Sequence, residues 1–429
     1  MGRTRHHTRS GIRGPRDVTS CGSSFVRSLL VLLLTAFPAR AGAQHQHGAA
    51  ASPGAWRIGA HAVPVLTRVS PAMGGEPATE WYLTHPVLWA MRGGDRFCVH
   101  AMVNLEGLTL ERGELTPGIW GEGYFDRRHP HTYLHELVGV VQHRAGPLAG
   151  SVAVGRGFAP FGTDDPMARP IARYAANHHL AQILERAIVV GAARWGAVGL
   201  EVGVFNGDEP ETPASLPSLR RFGDSWSARA TAYPSAGVEL QTSYARVASP
   251  EHPAGSGLDH RKRSTSARYE RGSLYLLAEF ARTDEFNREV HLFTFRSALA
   301  EAAATARGVR VSARLERTHR PEEERSPASP FRTVRPHADA HLLGITRWDL
   351  ATARVGGALE PVRFFGVEPF LEVTRARPTA MRVPTAWLPR EVYGADVLYA
   401  LSAGARVSLG GVHGRMGRYG AAVAAPQHH

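Results

Sequence analysis

The feature that most constrains this chain is the stretch from Gly196 to Val247, because its unit recurs through the rest of the sequence. In GAVGLEVGVF, Val198, Leu200, Val202 and Val204 alternate with Gly199, Glu201 and Gly203. Period two marks a strand with one apolar and one polar face. A polar segment from Asn206 to Asp224 follows. In SWSARATAY, Trp226, Ala228, Ala230 and Ala232 then alternate with Ser225, Ser227, Arg229 and Thr231. Pro234-Ser235-Ala236-Gly237 makes a tight turn. Val238, Leu240 and Tyr244 resume the alternation against Glu239, Gln241 and Ser243. Strand, long polar loop, strand, short turn, strand is the reading of a transmembrane antiparallel up-and-down β-barrel.

Residues 1–43 read as a secretory signal peptide. Seven arginines surround the apolar run that ends at Phe37, and Ala41-Gly42-Ala43 is a small-x-small cleavage site. The apolar run is too short to span a membrane as a mature helix. A good part of the formal net charge of +12 belongs to this leader. The remaining basic residues are dispersed, which argues against nucleic acid as a partner. Cys21 lies in the leader, so Cys98 alone remains. A disulfide framework and a thiolate metal site are both excluded within one chain. No later segment offers 18 consecutive apolar residues, which rules out a helical anchor. An exported chain without an anchor is soluble in the periplasm or is a barrel in the outer membrane of a Gram-negative bacterium.

Residues 44–55 are small and polar and are expected to be disordered. Sixteen strands are then predicted between 56 and 409. Among them are Trp56–Val69, Glu80–Met91, Arg96–Leu108, Tyr133–His143, Leu148–Phe158, Gln182–Arg194, Ser264–Glu270, Ser273–Thr283, Glu289–Leu299, Gly308–Thr318, Ala338–Trp348, Phe364–Arg375 and Ala395–Leu409. Asp349–Val362 reads as a longer turn or a short extra hairpin, and Ala-rich 298–305 reads equally as a short helix. Long connections follow odd strands and short ones follow even strands, which makes extracellular loops and periplasmic turns. A β-sandwich would alternate too, but would not sort its connections this way. Residues 410–429 form a C-terminal tail.

The runs Gly123–Leu137, with His129-Pro130-His131 leading into a strand, and Phe161–Pro170, together with Asn177-His178-His179, resemble a group of uncharacterised porin-like outer-membrane proteins of Gram-negative bacteria. The resemblance implies location and fold, and brings no substrate. One departure stands out. Such barrels usually end on an aromatic residue, whereas this chain ends Pro-Gln-His-His, with Tyr419 as the last aromatic.

Three constellations carry possible chemistry. Glu201, Arg229, Glu239, Arg268, Glu270, Glu279, Arg310, Arg314, Glu316, Glu368, Glu372 and Arg406 fall on the polar faces of their strands. A barrel of 16 strands is wide enough for an aqueous channel. Charges of both signs on its wall would line the pore and stay hydrated, or would pair across the lumen and fill it. Next is the loop Ala159–Ala181. The resemblance implies that it folds inward, with Asp164, Asp165, Arg169 and Arg173 facing one another across a constriction. Third are Asp126, His129, His131 and His135, with His178 and His179 one hairpin later. Evenly spaced His129, His131 and His135 share a face of an extended chain, and imidazole suits zinc, copper or nickel.

The first reading is therefore a porin-like channel for passive diffusion of small polar or charged solutes, contacting outer-membrane lipid and needing no cofactor. The second is a barrel handling copper or zinc, weakly bound by His129, His131 and His178 or His179, with Asp126 as a further ligand. A barrel hydrolase or purely structural barrel is third. His135, Ser151 and Asn177 suit a hydrolase on paper, but no G-x-S-x-G, P-loop or HExxH is present.

Overall fold

The computed structural model describes residues 56–423 apart from 73, 110–130, 164–165, 176–177, 211, 217, 324–341, 358, 363, 383–387 and 411–414. The leader, the segment 44–55 and the last residues of the tail lie outside the described residues. The strands are β1 Trp56–Ser70, β2 Ala78–Gly93, β3 Phe97–Asn104, β4 Leu134–Ala145, β5 Leu148–Gly157, β6 Arg186–Trp195, β7 Val198–Phe205, β8 Ser225–Ala232, β9 Val238–Val247, β10 Asp259–Arg271, β11 Leu274–Asn287, β12 Val290–Ala306, β13 Val309–Glu323, β14 Leu342–Gly357, β15 Leu359–Val362, β16 Phe365–Arg382 and β17 Leu398–Leu409. Of these 17, β15 is a four-residue piece between the ends of β14 and β16, which pair directly with each other. The wall therefore has 16 strands.

All neighbours are antiparallel, and β1 closes the sheet by pairing with both β2 and β17: Val65 opposes Tyr82 on one side and Gly404 on the other. Closure leaves no edge, so backbone groups facing lipid are satisfied within the sheet. The alternation read from the sequence becomes an outside and an inside. Val202, Val311, Val373 and Leu401 are exposed outward, while Glu201 and Glu372 are buried inside. Arg310 and Arg406 also point inward, onto Glu368 and the Arg169 carbonyl. An apolar exterior around a polar interior is stable only in a bilayer, and a closed antiparallel barrel of this kind belongs to an outer membrane.

Short turns gather at one end of the barrel. At Arg307-Gly308 both residues have positive φ, 51° and 78°, as a two-residue turn between twisted strands requires. The other end carries the long connections, with one exception. β11 continues to Asn287 and returns at Val290, so only Arg288 and Glu289 separate it from β12. The predicted gap at 284–288 is therefore mostly strand.

Other boundaries differ from the sequence reading, and four of them have a plain physical reason. Within Asp349–Val362, read as a longer turn or a short extra hairpin, β14 runs through to Gly357, because Leu350, Thr352 and Arg354 continue the inward face, and a short hairpin remains only where β15 pairs with β16. Residues 298–305 are strand within β12, since pairing to β11 and β13 overrides the helical preference of alanine. β3 stops at Asn104, and Glu106–Thr109 makes one helical turn, with the Glu106 carboxylate accepting from the Thr84 hydroxyl at 2.8 Å. Residues 182–185 belong to the inward segment, and β6 starts at Arg186.

The wall predicts a depth-dependent cost. Val373 and Val198 both face lipid, but Val198 sits at the β6–β7 turn. Val373→Arg is expected to cost about 2–4 kcal/mol if it lies at the bilayer midplane, and Val198→Arg about 0–1 kcal/mol near the interface. Denaturant titration of both variants in lipid vesicles measures this. Equal costs would place the membrane belt elsewhere.

Candidate functional site

The lumen is the place where polar side chains, buried charge and irregular backbone converge. Among the described residues, two chain segments enter it. The first, residues 158–185, connects β5 to β6 and crosses to the opposite wall. Its backbone is pinned by wall side chains: Arg314 donates to the carbonyls of Arg173 and Ile171 at 2.7 and 2.8 Å, and Arg406 to that of Arg169 at 2.6 Å. Its arginines reach wall carboxylates. Arg169 pairs with Glu279 at 3.1 Å, and Arg173 with Glu316 at 3.0 Å and Glu372 at 3.7 Å. Gly162, at φ +66°, presses against the Ala181 carbonyl where no Cβ fits. Its own carbonyl accepts from Gln241 at 2.5 Å.

The second segment follows β17. Residues 415–423 fold back into the lumen on the β4–β9 side. Arg418 bonds Glu201, Thr231, Glu239 and Gln241, and Arg415 bonds Glu239. The Gly417 carbonyl accepts from Arg229 at 2.6 Å. Tyr419 is not in the final strand. It is buried against Val138, Val140, Ile188 and Val190, and its hydroxyl accepts from the Phe158 amide at 3.0 Å. This quarter of the inner wall is apolar, which is why a tail enters there rather than water.

Of the two expectations for the wall charges, hydrated or paired, the described residues give the following placement. Glu201, Arg229, Glu239, Arg268, Glu279, Arg314 and Glu372 are on the inside but buried. Arg310 and Glu368 are paired at 3.2 Å, and Arg314 holds Glu301 at 2.7 Å. The inward segments cover these groups and supply partners that solvent would otherwise supply. Arg169 and Arg173 sit on the wall rather than across an open gap. Asp164 and Asp165 lie outside the described residues.

The histidines form a third feature near the long-loop end. His131 and His135 stack, with ring centroids 5.3 Å apart. His135 Nδ1 donates to Glu185 Oε1 at 2.5 Å, which also accepts from the Thr132 amide at 2.9 Å. Arg156 donates to the Thr132 hydroxyl at 2.5 Å. Asn104 donates to His131 Nδ1 at 3.2 Å, Glu106 lies 3.9 Å from that atom, and the Tyr174 hydroxyl lies 3.4 Å from Nε2. One ligand atom each from His131, His135 and Glu185 lie within 4.8 Å of one another. His85 and Glu185 have positive φ, 50° and 57°, an unusual backbone for either residue. The His178 ring lies tilted against Tyr174 at 4.3 Å and that of His179 against His178 at 4.1 Å, outside the closely spaced group. Asp126 and His129 lie outside the described residues, as does Asn177. Sequence spacing points to His131 and His135. It gives no sign of Glu106, Tyr174 or Glu185, which arrive from separate segments.

No family model matches the chain, and no curated protein matches it in sequence. Solved structures of similar outline include an anion-selective porin from Comamonas acidovorans (TM-score 0.48, 10% identity, 83% of this chain and 100% of that one). Others are OmpF of Salmonella typhi in complex with daunomycin (0.47, 10%, 82% and 98%) and OprB of Pseudomonas putida at high pH (0.46, 12%, 83% and 94%). At these values the likeness carries no argument, and the barrel rests on its own strand pairing.

Glu185 lies outside the spanning strands. Burial raises its carboxyl, but the imidazole of His135 beside it, with His131 and Arg156, outweighs this and holds it below the usual 4.5. A depressed folded pKa gives stability that is present above the unfolded value and lost as pH falls through the folded one. Glu185→Gln is expected to cost about 3 kcal/mol at neutral pH. That gap should close as pH drops below about 4.5, read by denaturant unfolding of both proteins across pH. A gap that persisted in acid would assign the loss to packing.

Proposed function

We propose that this chain is a porin-like outer-membrane channel for small polar or charged solutes, in a conformation closed by its own inward segments. The observation that carries the reading is a 16-strand barrel whose inner wall bears charges of both signs and meets two inward-folding segments of the chain. Barrels of this strand number enclose a space wide enough for water and solute once it is cleared. Segment 158–185 is tied at both ends to strands. Segment 415–423 lies beyond the last strand and is held by side chains, so it can leave without breaking the wall.

Planar bilayer recording of the full chain and of a chain ending at Gly410 tests this. The shortened barrel is expected to show steady openings with several-fold greater conductance. A shortened barrel that folds, as judged by heat-modifiable mobility, yet conducts no more than the full chain would overturn the reading.

A second reading, transition-metal handling, is favoured by the proximity of His131, His135 and Glu185. Two imidazoles and a carboxylate form a three-ligand set that suits zinc. Against it, the Glu185 oxygen already serves His135 and Thr132. Calorimetry with Cu(II) and Zn(II) is decisive after His45, His47, His428 and His429 are removed. Handling of metal predicts one site that His131→Ala abolishes, and an unaltered isotherm excludes it.

A further inference from the structure

The wall between β13 and β17, near the short-turn mouth, holds more cations than acceptors. Arg310, Arg354 and Arg406 project inward there, with Glu368 among them. Arg310, Arg354, Glu368 and Glu301 all lie within electrostatic reach of Arg406. Three arginines there face two carboxylates, Glu368 and Glu372. Glu368 receives Arg310 on both oxygens at 3.2 Å. Glu372, the register partner of Arg354 across β14 and β16, has Arg173 at 3.7 Å and accepts no hydrogen bond on either oxygen.

Arg354 reaches neither carboxylate with a hydrogen bond. It is 3% exposed, and none of its three guanidinium nitrogens has a hydrogen-bond partner. The ring of Phe370 lies against it, with its centroid 3.5 Å from the guanidinium carbon. Phe370 is itself fixed among Val63, Val65 and Ala172. The stack offers the flat face of the cation a partner and leaves its donor edge unused. Arg406 is similar: one nitrogen donates to the Arg169 carbonyl and Nε has no partner. Among the described residues neither arginine makes an ion pair. A buried cation without an acceptor is costly, and Arg354 with the partly satisfied Arg406 beside it supplies the chemistry of an anion site.

We propose that Arg354, with Arg406 beside it, binds a small oxyanion, a carboxylate or a phosphate, that enters from the short-turn mouth of the lumen. The guanidinium fork matches two oxygens of such an anion, and Phe370 presets the plane in which it is presented. This names the solute class of the lumen, so its role in permeation rests on the channel reading, while the binding itself does not.

The test uses the full chain purified in detergent, with thermal stability followed against acetate, inorganic phosphate and chloride at constant ionic strength. A ligand that binds only the folded state raises Tm in a saturable way. Acetate and phosphate are expected to do so more strongly than chloride, and the preference between the two distinguishes carboxylate from phosphate. Arg354→Gln is expected to weaken the effect about tenfold or more, Arg406→Gln to weaken it, and Arg354→Lys to leave an intermediate response. Arg317→Gln, on an exposed strand position, should change nothing. Arg354 holds no hydrogen-bond partner that its removal would strand, so the Gln variant is expected to fold. If it proves unstable, Phe370→Leu, which removes the stack and keeps the charge, should still weaken binding. A wild-type response that is absent, or that Arg354→Gln and Phe370→Leu leave unaltered, overturns the proposal. Binding that persists in a protein whose tail-shortened form does not conduct would refute the channel reading alone.

Discussion

Everything in this structure follows from closing the sheet. When β1 pairs with β17, no strand edge remains and every wall residue is assigned to lipid or to the lumen. Hydrocarbon cannot solvate a backbone amide or a charge, so the wall must be fully paired and its outer face apolar. The same closure creates an interior that is cut off from bulk water wherever chain enters it. Each charge on the inner wall then needs either a water-filled channel or a partner.

In this chain the partners come from the polypeptide itself. Arg169 and Arg173 on the inward loop meet Glu279, Glu316 and Glu372, while wall arginines 314 and 406 hold the loop's carbonyls. A buried pair contributes little net stability against an apolar replacement, but losing one partner costs about 3–5 kcal/mol. Such a network therefore fixes where the loop sits more than how stable the barrel is. The tail obeys the same rule on the other side of the lumen, with Arg415 and Arg418 against Glu201 and Glu239. It adds an apolar anchor, Tyr419, where the inner wall turns hydrophobic. Arg354 departs furthest from this rule, because it is buried and none of its three guanidinium nitrogens is hydrogen-bonded.

The histidine cluster is built differently. His131 and His135 come from one strand approach, but Glu106 and Glu185 come from a helical turn and from the end of the inward segment. The left-handed backbone at His85 and Glu185 marks where the chain bends to bring them in. What unites the cluster is a hydrogen-bonded fit around Glu185, whose carboxylate is held ionised by the imidazole it faces.

The barrel was legible in the sequence because its physics is local. A strand between lipid and a polar lumen must alternate, so Val202 against Glu201 and Val373 against Glu372 declare their sides without any knowledge of neighbours. Boundaries were less legible. The Ala-rich run of β12 and the continuation of β14 past Trp348 depend on the strands beside them, and propensity carries no information about pairing. The filling of the lumen was not legible at all. Nothing in the order of residues links Arg418 to Glu201, Glu185 to His135, or Arg173 to Glu372, because each pair spans a long stretch of chain that only closure brings back. Sequence determined the wall and its two faces, since alternation is set residue by residue. Tertiary structure alone decided which charges are paired, which are buried and which still lack an acceptor, since those depend on what enters the space that the closed wall encloses.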